Sequence, residues 1–287
     1  MTDERSSISR RDFTALAVAA GVGAAAGAPA APVGEVVETD VLVKTPSGMC
    51  DAALIHPGTG RWPAVIIFPD IFGVRPVMRS MAKRLATDGY TVLVPNPYYR
   101  STKAPGIGPD FDFGSAADRA KLEALRAPLT ESAVMQDGAA YVAYLDAQAS
   151  VNPKAKIGVV GYCMGGPMTL QAAASSPARI SAGASFHGGG LVTDKPDSPH
   201  LLIAKIKAQY YFGIAGNDDE KQPDAKVKLN EAFRAANLPA KIEVYDGTLH
   251  GWCVADMPLQ AGKPIYNQPQ AERAWHELLT LYKQQLV

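Results

Sequence analysis

Cys163 stands in KIGVVGYCMGG, residues 156–166, where an apolar run ends in a glycine-flanked turn and a helical pattern begins at Met164. A strand-turn-helix corner of the form G-x-nucleophile-x-G projects its central side chain from a strained turn, and small residues two before and two after keep the crossing backbone clear. Gly161 and Gly165 fill those positions. A thiol there also meets the free N–H groups and positive dipole end of a helix, which favour the nucleophilic thiolate. That context selects Cys163 over the common fate of a lone cysteine, burial as a small apolar side chain. Cys50 and Cys253 lack any CxxC or Cys/His metal spacing, three cysteines are too few for a disulfide framework, and no disulfide between Cys50 and Cys253 is expected.

A thiol nucleophile needs a base and a carboxylate that orients it, and at such an elbow they follow in the order nucleophile, acid, base. Beyond the apolar run 209–214 comes AGNDD, and beyond 242–245 comes DGTLHGW. Both put polar residues just past a strand's carboxyl end, where ligands collect. Asp218 is the expected acid and His250 the expected base; Asp219 is the second choice, and Asp246, four residues before the histidine, is less suited. His56, His200 and His276 read as packed or solvated, and His187 in FHGGG as a turn residue or a pocket wall. The sequence shows no spacing for a metal site, so neither a metal nor a cofactor is expected.

The elements that position these residues alternate. Strands are expected at 36–44 and 50–56, an antiparallel edge pair about the turn Pro46-Ser47-Gly48, then at 64–68, 90–94, 157–161, 180–186, 209–214 and 242–245. Helical patterns lie at 76–87, 131–147, 164–174, 224–236 and 270–284. Continuous apolar runs such as AVIIF mark strands buried on both faces, so the fold class is α/β, a mainly parallel sheet of about eight strands with helices on both faces. Residues 100–130, rich in Gly, Pro and Asp, are expected to form a loop or cap over the site.

With GYCMGG, PDIFGVRP, MAKRLATDGYTVLVPNPYYR, GNDD and HGW in this order, the chain resembles the dienelactone hydrolase family from about residue 36 to its end. The resemblance implies an α/β-hydrolase fold, Cys163 as nucleophile, Asp218 and His250 as its partners, and an oxyanion hole from the backbone N–H groups of Ile71 and Met164. It further implies that a carboxylate before IFG, here Asp70, activates the thiol, and that two arginines clamp a substrate carboxylate. One matches Arg100; the other falls on Val254. Tyr98 and Trp252, beside these motifs, are expected to line the substrate pocket. The implied activity is hydrolysis of carboxylic esters or lactones through a thioester acyl-enzyme, without cofactor. An acyltransferase or thioesterase on the same scaffold, and a non-catalytic exported binding protein, are the alternatives.

Composition agrees with a globular enzyme: 28 Lys+Arg balance 28 Asp+Glu, and 47% of residues are hydrophobic. Disorder and binding of a nucleic-acid polyanion are thereby excluded. Arg10 and Arg11 in SRRDF precede residues 13–34, which carry no charge and are mostly Ala and Gly. Such a stretch gains little in hydrocarbon and makes a poor membrane anchor. Residues 1–32 therefore read as a twin-arginine-like signal handled by the twin-arginine export machinery, with a periplasmic destination, and residues 33–287 as one catalytic domain. The expected partner is a small-molecule ester or lactone, with no stable membrane insertion.

Overall fold

The structure is a computed structural model that describes residues 34–108 and 110–286; the signal read from residues 1–32 lies outside the described residues. β1 (Val36–Thr45) and β2 (Gly48–Pro57) pair antiparallel, and β2 pairs antiparallel with β4 (Thr91–Pro95). From there β3 (Ala64–Phe68), β5 (Ile157–Tyr162), β6 (Ile180–Phe186), β7 (Gln209–Ala215) and β8 (Ala240–Tyr245) continue in parallel, giving one eight-stranded sheet in the order β1-β2-β4-β3-β5-β6-β7-β8. The α/β-hydrolase fold expected from the sequence is the fold observed.

Alternation along β3 shows why such runs build a two-sided core. All five residues of AVIIF are buried. Ala64, Ile66 and Phe68 join one core, while Val65 and Ile67 join the other on the opposite face. Each large apolar side chain so buried contributes about 1.5–3 kcal/mol. The first face is covered by α2 (Ala116–Arg126), α3 (Glu131–Asp146), α4 (Gly165–Ser175) and α6 (Ala225–Ala235), the second by α1 (Pro76–Thr87) and α7 (Gln268–Gln285). α1 starts on Pro76, whose missing N–H costs nothing in a first turn, and buries Met78, Ala82, Leu85 and Ala86 at helical spacing. Cys50 and Cys253 lie in opposite cores, and all three cysteines are free.

One expectation is corrected, and one segment left without an element gains one. The stretch 100–130 is not wholly irregular, since α2 forms within it, capped by Ser115, whose side chain accepts from the Asp118 N–H. The Asp218 segment is not a plain loop but a short helix, α5 (Gly216–Lys221). A 3₁₀ helix (Pro199–Lys205) and a small ribbon of β9 (Leu259–Gln260) with β10 (Lys263–Pro264) complete the described elements. None of the described helices is long and apolar enough to cross a membrane.

Register places the site. Phe68 pairs with Gly161, Tyr162 with Phe186, Phe186 with Gly213, and Ala215 with Tyr245, so the carboxyl ends of β3, β5, β6, β7 and β8 lie along one edge. The residues that follow those ends, Asp70, Cys163, His187, Asp218 and His250, therefore gather at that edge.

Candidate active site

Cys163 occupies the corner between β5 and α4 with φ of 51°, a left-handed conformation that costs a non-glycine residue about 1–3 kcal/mol. The surroundings hold it there. Its N–H donates to the Phe186 carbonyl at 3.1 Å, and its own carbonyl accepts from the Gly166 and Gly189 N–H groups at 3.0 and 3.2 Å. A Cβ on Gly161 would lie 2.0 Å from the Gly165 carbonyl oxygen, and one on Gly165 would lie 2.1 Å from that of Phe68. Both glycines of the motif are thus required by close backbone approach.

Acid and base are fixed by two loops zipped together. Asn217 N–H donates to the Thr248 carbonyl at 3.2 Å, and the Asn217 side-chain oxygen accepts from the His250 N–H at 2.9 Å. His250 Nδ1 then meets Asp218 Oδ2 at 2.6 Å, within the range of a charge-assisted hydrogen bond. Asp219 instead pairs with Lys226 Nζ at 2.5 Å, which separates the two candidate acids. Burial acts to lower the His250 pKa, but Asp218 and the Cys163 sulfur outweigh it and lift it to about 10. The Cys163 sulfur and one nitrogen each of His250 and His187 all lie within 4.8 Å of one another.

His187, left by the sequence as turn or wall, belongs to this centre. Its ring is 4.8 Å from that of His250 and 5.5 Å from that of Trp252, centroid to centroid. Among the described residues neither ring nitrogen has a hydrogen-bond partner although the residue is 1% exposed, and its φ is 41°. Burial, with His250 alongside, pushes its pKa well below the ordinary histidine value.

The two N–H groups expected to form an oxyanion hole are free: neither Ile71 nor Met164 donates its backbone N–H to a protein acceptor among the described residues. Met164 precedes the first residue of α4, so its N–H is one of the unsatisfied donors of a helix start. Ile71 is held by its neighbours. The buried Tyr98 hydroxyl donates to the Ile71 carbonyl at 2.8 Å and touches Met164 Sδ at 3.5 Å.

Four side chains expected at the substrate or the thiol are placed elsewhere. Asp70, fully buried, takes Arg75 Nη1 and Nη2 on its two oxygens at 2.7 and 3.0 Å and the Phe72 N–H at 2.9 Å. It therefore orders the turn carrying Ile71 rather than bonding to Cys163. Burial raises its pKa, against the pull of Arg75. Arg100 is committed to Asp137 through two contacts of 2.7 and 2.9 Å, so it offers no free fork to a substrate. Trp252 is fully buried against Tyr245 and Phe186, a core side chain and not a pocket wall. Tyr98 supports the Ile71 peptide from inside. Val254 is likewise fully buried, so a cation there would point into the core.

Sequence reasoning missed Arg75, which pairs with Asp70 and, 181 positions away, with Asp256 (Nη2 to Oδ1, 2.7 Å). It also missed two cations of the adjoining cleft. A cavity of about 510 Å³ is walled by Met164, Pro167, Met168 and Gly189 and bears Arg126 and Lys195, neither of which makes an ion pair among the described residues, together with the carboxylates of Glu123, Glu131 and Asp197. A second, of about 410 Å³, lies between Phe72, Ile107 and Phe111 and includes Arg75 and Asp256 in its lining.

The arrangement, a strained thiol facing an imidazole–carboxylate pair and two free N–H groups, suits attack on a carbonyl. A profile of the dienelactone hydrolase family matches residues 50–286. The Escherichia coli (strain K12) protein named "Putative carboxymethylenebutenolidase" is 29% identical over 231 residues, 78% of each chain. A carboxymethylenebutenolidase of Pseudomonas sp. (strain P51) is 28% identical over 211 residues, 74% of this chain and 82% of that one. In fold, a dienelactone hydrolase-like promiscuous phosphotriesterase from metagenomic libraries covers 88% of this chain and 100% of its own, with a TM-score of 0.71 at 19% identity. Since the matched span runs from β2 through α7 and includes every loop of the site, the chain belongs to the dienelactone hydrolase family.

Proposed function

We propose that this hydrolase cleaves carboxylic esters or lactones with Cys163 as nucleophile, His250 as acid and base, and Asp218 orienting His250. The 2.6 Å contact between His250 and Asp218, on loops that bring the ring beside Cys163, carries the reading. His250, whose pKa is lifted to about 10, carries the proton it later donates as the acid. The sulfur attacks the acyl carbon, and the oxyanion collects the Ile71 and Met164 N–H groups. Imidazolium then protonates the departing oxygen as the carbonyl reforms. Acylation removes the sulfur's charge and with it part of what held the proton on His250. The ring is then a base able to deprotonate water for attack on the thioester.

Thiolate is a better leaving group than alkoxide, so unactivated alkyl esters tend to revert while enol and aryl esters go forward. A substrate carboxylate, with Arg100 engaged and Val254 buried, meets Arg126 and Lys195 in the cleft beside Met164. A panel of aryl and enol esters with mass spectrometry of the acylated chain tests the reading. It predicts an acyl group on Cys163 and no turnover in a folded Cys163→Ala; turnover in that variant would refute it. We further propose that residues 1–32 direct export. Arg10→Lys with Arg11→Lys should then leave uncleaved precursor in the cytoplasm, and undiminished export of the double variant would refute that.

A further inference from the structure

His187 serves no purpose in the mechanism above, yet the fold keeps it in a costly state. A polar atom buried without a partner is destabilising, and among the described residues both of its ring nitrogens are so placed, on a residue with φ of 41°. Packing alone would be served as well by phenylalanine. What distinguishes an imidazole there is a lone pair, and one nitrogen lies within 4.8 Å of both the Cys163 sulfur and a His250 nitrogen. His250 Nδ1 is already bound to Asp218, which leaves Nε2 as its free donor.

We propose that Cys163 Sγ, a ring nitrogen of His187 and His250 Nε2 form a three-donor site for a borderline-soft divalent cation of the zinc class, and that its occupancy switches the hydrolase off. One thiolate and two imidazoles are a donor set such cations take in tetrahedral sites, with metal–sulfur and metal–nitrogen bonds of about 2.3 and 2.0–2.1 Å. Those lengths require donors about 3.3–3.6 Å apart, roughly 1 Å closer than the present outer limit. In this proposal the part-exposed Cys163 and His250 side chains turn to close that difference, while the buried His187 stays in place. Asp218 on His250 Nδ1 supplies the carboxylate–histidine–metal relay that orients such ligands. The fourth position of a tetrahedral site would be left for water. Coordination forms three metal–ligand bonds and releases to solvent the one proton shared by Cys163 and His250, with no change of oxidation state. The nucleophile's lone pair and the base's nitrogen are both consumed, so the bound form is inactive until a chelator removes the cation. No local spacing marks this site, because its donors follow three different strand ends.

The site itself does not depend on turnover; only its inhibitory consequence rests on the function proposed above. The test uses the full chain with reduced thiols in metal-free buffer, with Zn²⁺ titrated against a chromophoric chelator and Co²⁺ followed by its thiolate charge-transfer band. One cation per chain is expected. His187→Phe and His187→Gln, checked for folding by circular dichroism, should each weaken zinc by at least about 100-fold, since even partners of ligands cost roughly 10–100-fold when removed. Cys163→Ala should abolish the cobalt band. X-ray absorption of zinc-loaded wild type, which needs no variant, should give one sulfur and two imidazole nitrogens. One sulfur with a single imidazole, or affinity unchanged in the His187 variants, overturns the inference, as does failure of wild type to bind. A chain that binds zinc in this way but cleaves no ester overturns the proposed function and leaves the site standing. Ester cleavage through Cys163 with zinc binding indifferent to His187 does the reverse.

Discussion

Tyr98→Phe separates two roles for one side chain, contact with substrate and support of the oxyanion hole. The hydroxyl is buried and donates to the Ile71 carbonyl at 2.8 Å, so its removal leaves that carbonyl unpaired in an apolar surrounding. The expected stability loss is about 1–3 kcal/mol, which for a domain of this size lowers Tm by roughly 2–10 °C. The Ile71 peptide then loses the anchor that aims its N–H. Complete loss of one oxyanion donor costs about 10²–10³ in kcat. Here the phenyl ring remains and the turn is still held by Asp70, so a fall of about tenfold, or ~1.4 kcal/mol in the barrier, is expected. Because the lost interaction matters only when negative charge develops, KM should stay within about twofold. Initial rates over a range of aryl-ester concentrations give both constants, and calorimetry gives Tm. A rise in KM with kcat unchanged would return Tyr98 to the substrate pocket, and unchanged kcat with lowered Tm would detach Ile71 from oxyanion stabilisation.

Asp218→Asn should lower kcat by about 10³–10⁴, by analogy with loss of the orienting carboxylate in other triads, whereas Asp219→Asn should stay within a few-fold; equal losses would undo the assignment of the acid. Arg100→Ala breaks its largely buried pair with Asp137 and should cost about 3 kcal/mol by urea unfolding, with KM for a carboxylated lactone unmoved. Arg126→Ala should raise that KM about tenfold and spare a neutral ester, and the opposite pattern would restore Arg100 as the clamp. A His250 pKa lifted from 6.5 to about 10 contributes stability that is fully present below pH 6.5 and lost as pH rises through about 10. Urea midpoints of wild type should therefore fall more steeply over that interval than those of His250→Gln; parallel curves would show that the folded state does not hold this proton.

Legibility followed the physics of each feature. β3 to β7 were readable because strands buried on both faces must be apolar throughout, and AVIIF and IGVVGY have no other economical use. The elbow was readable because backbone crossing at 2.0–2.1 Å from a notional Cβ admits only glycine at 161 and 165. α2 was hidden by the Gly, Pro and Asp around it, although Ser115 with Asp118, followed by Leu122 and Leu125, carries a cap and an apolar pair at helical spacing. What no local pattern holds is the choice of partner. Arg100 takes Asp137, 37 positions away, and Arg75 takes both Asp70 and Asp256. Each arginine has the right type for a substrate clamp and spends its donors on the protein.

The misplaced residues share a cause. In the mechanism proposed above, oxyanion stabilisation depends on two backbone N–H groups, and a backbone group can be aimed only by fixing the peptides around it. Met164 is fixed by the start of α4, which β5 and the two glycines dictate. Ile71 has no helix to hold it, so side chains do the work: Tyr98 on its carbonyl, Asp70 on the next N–H, and Arg75 locking Asp70. Arg75 also reaches Asp256, six residues beyond His250, and so ties the Ile71 turn to the segment that follows the base. Buried charges are stabilising only when fully paired, which is why Asp70 has both oxygens engaged and none left for the thiol. The thiol has His250 instead, already oriented by Asp218. In the proposed mechanism, activation of the nucleophile and placement of the oxyanion hole are thus carried by separate sets of side chains. Substitutions in the Asp70–Arg75–Tyr98 group should act on the transition state through geometry, not through the ionisation of Cys163.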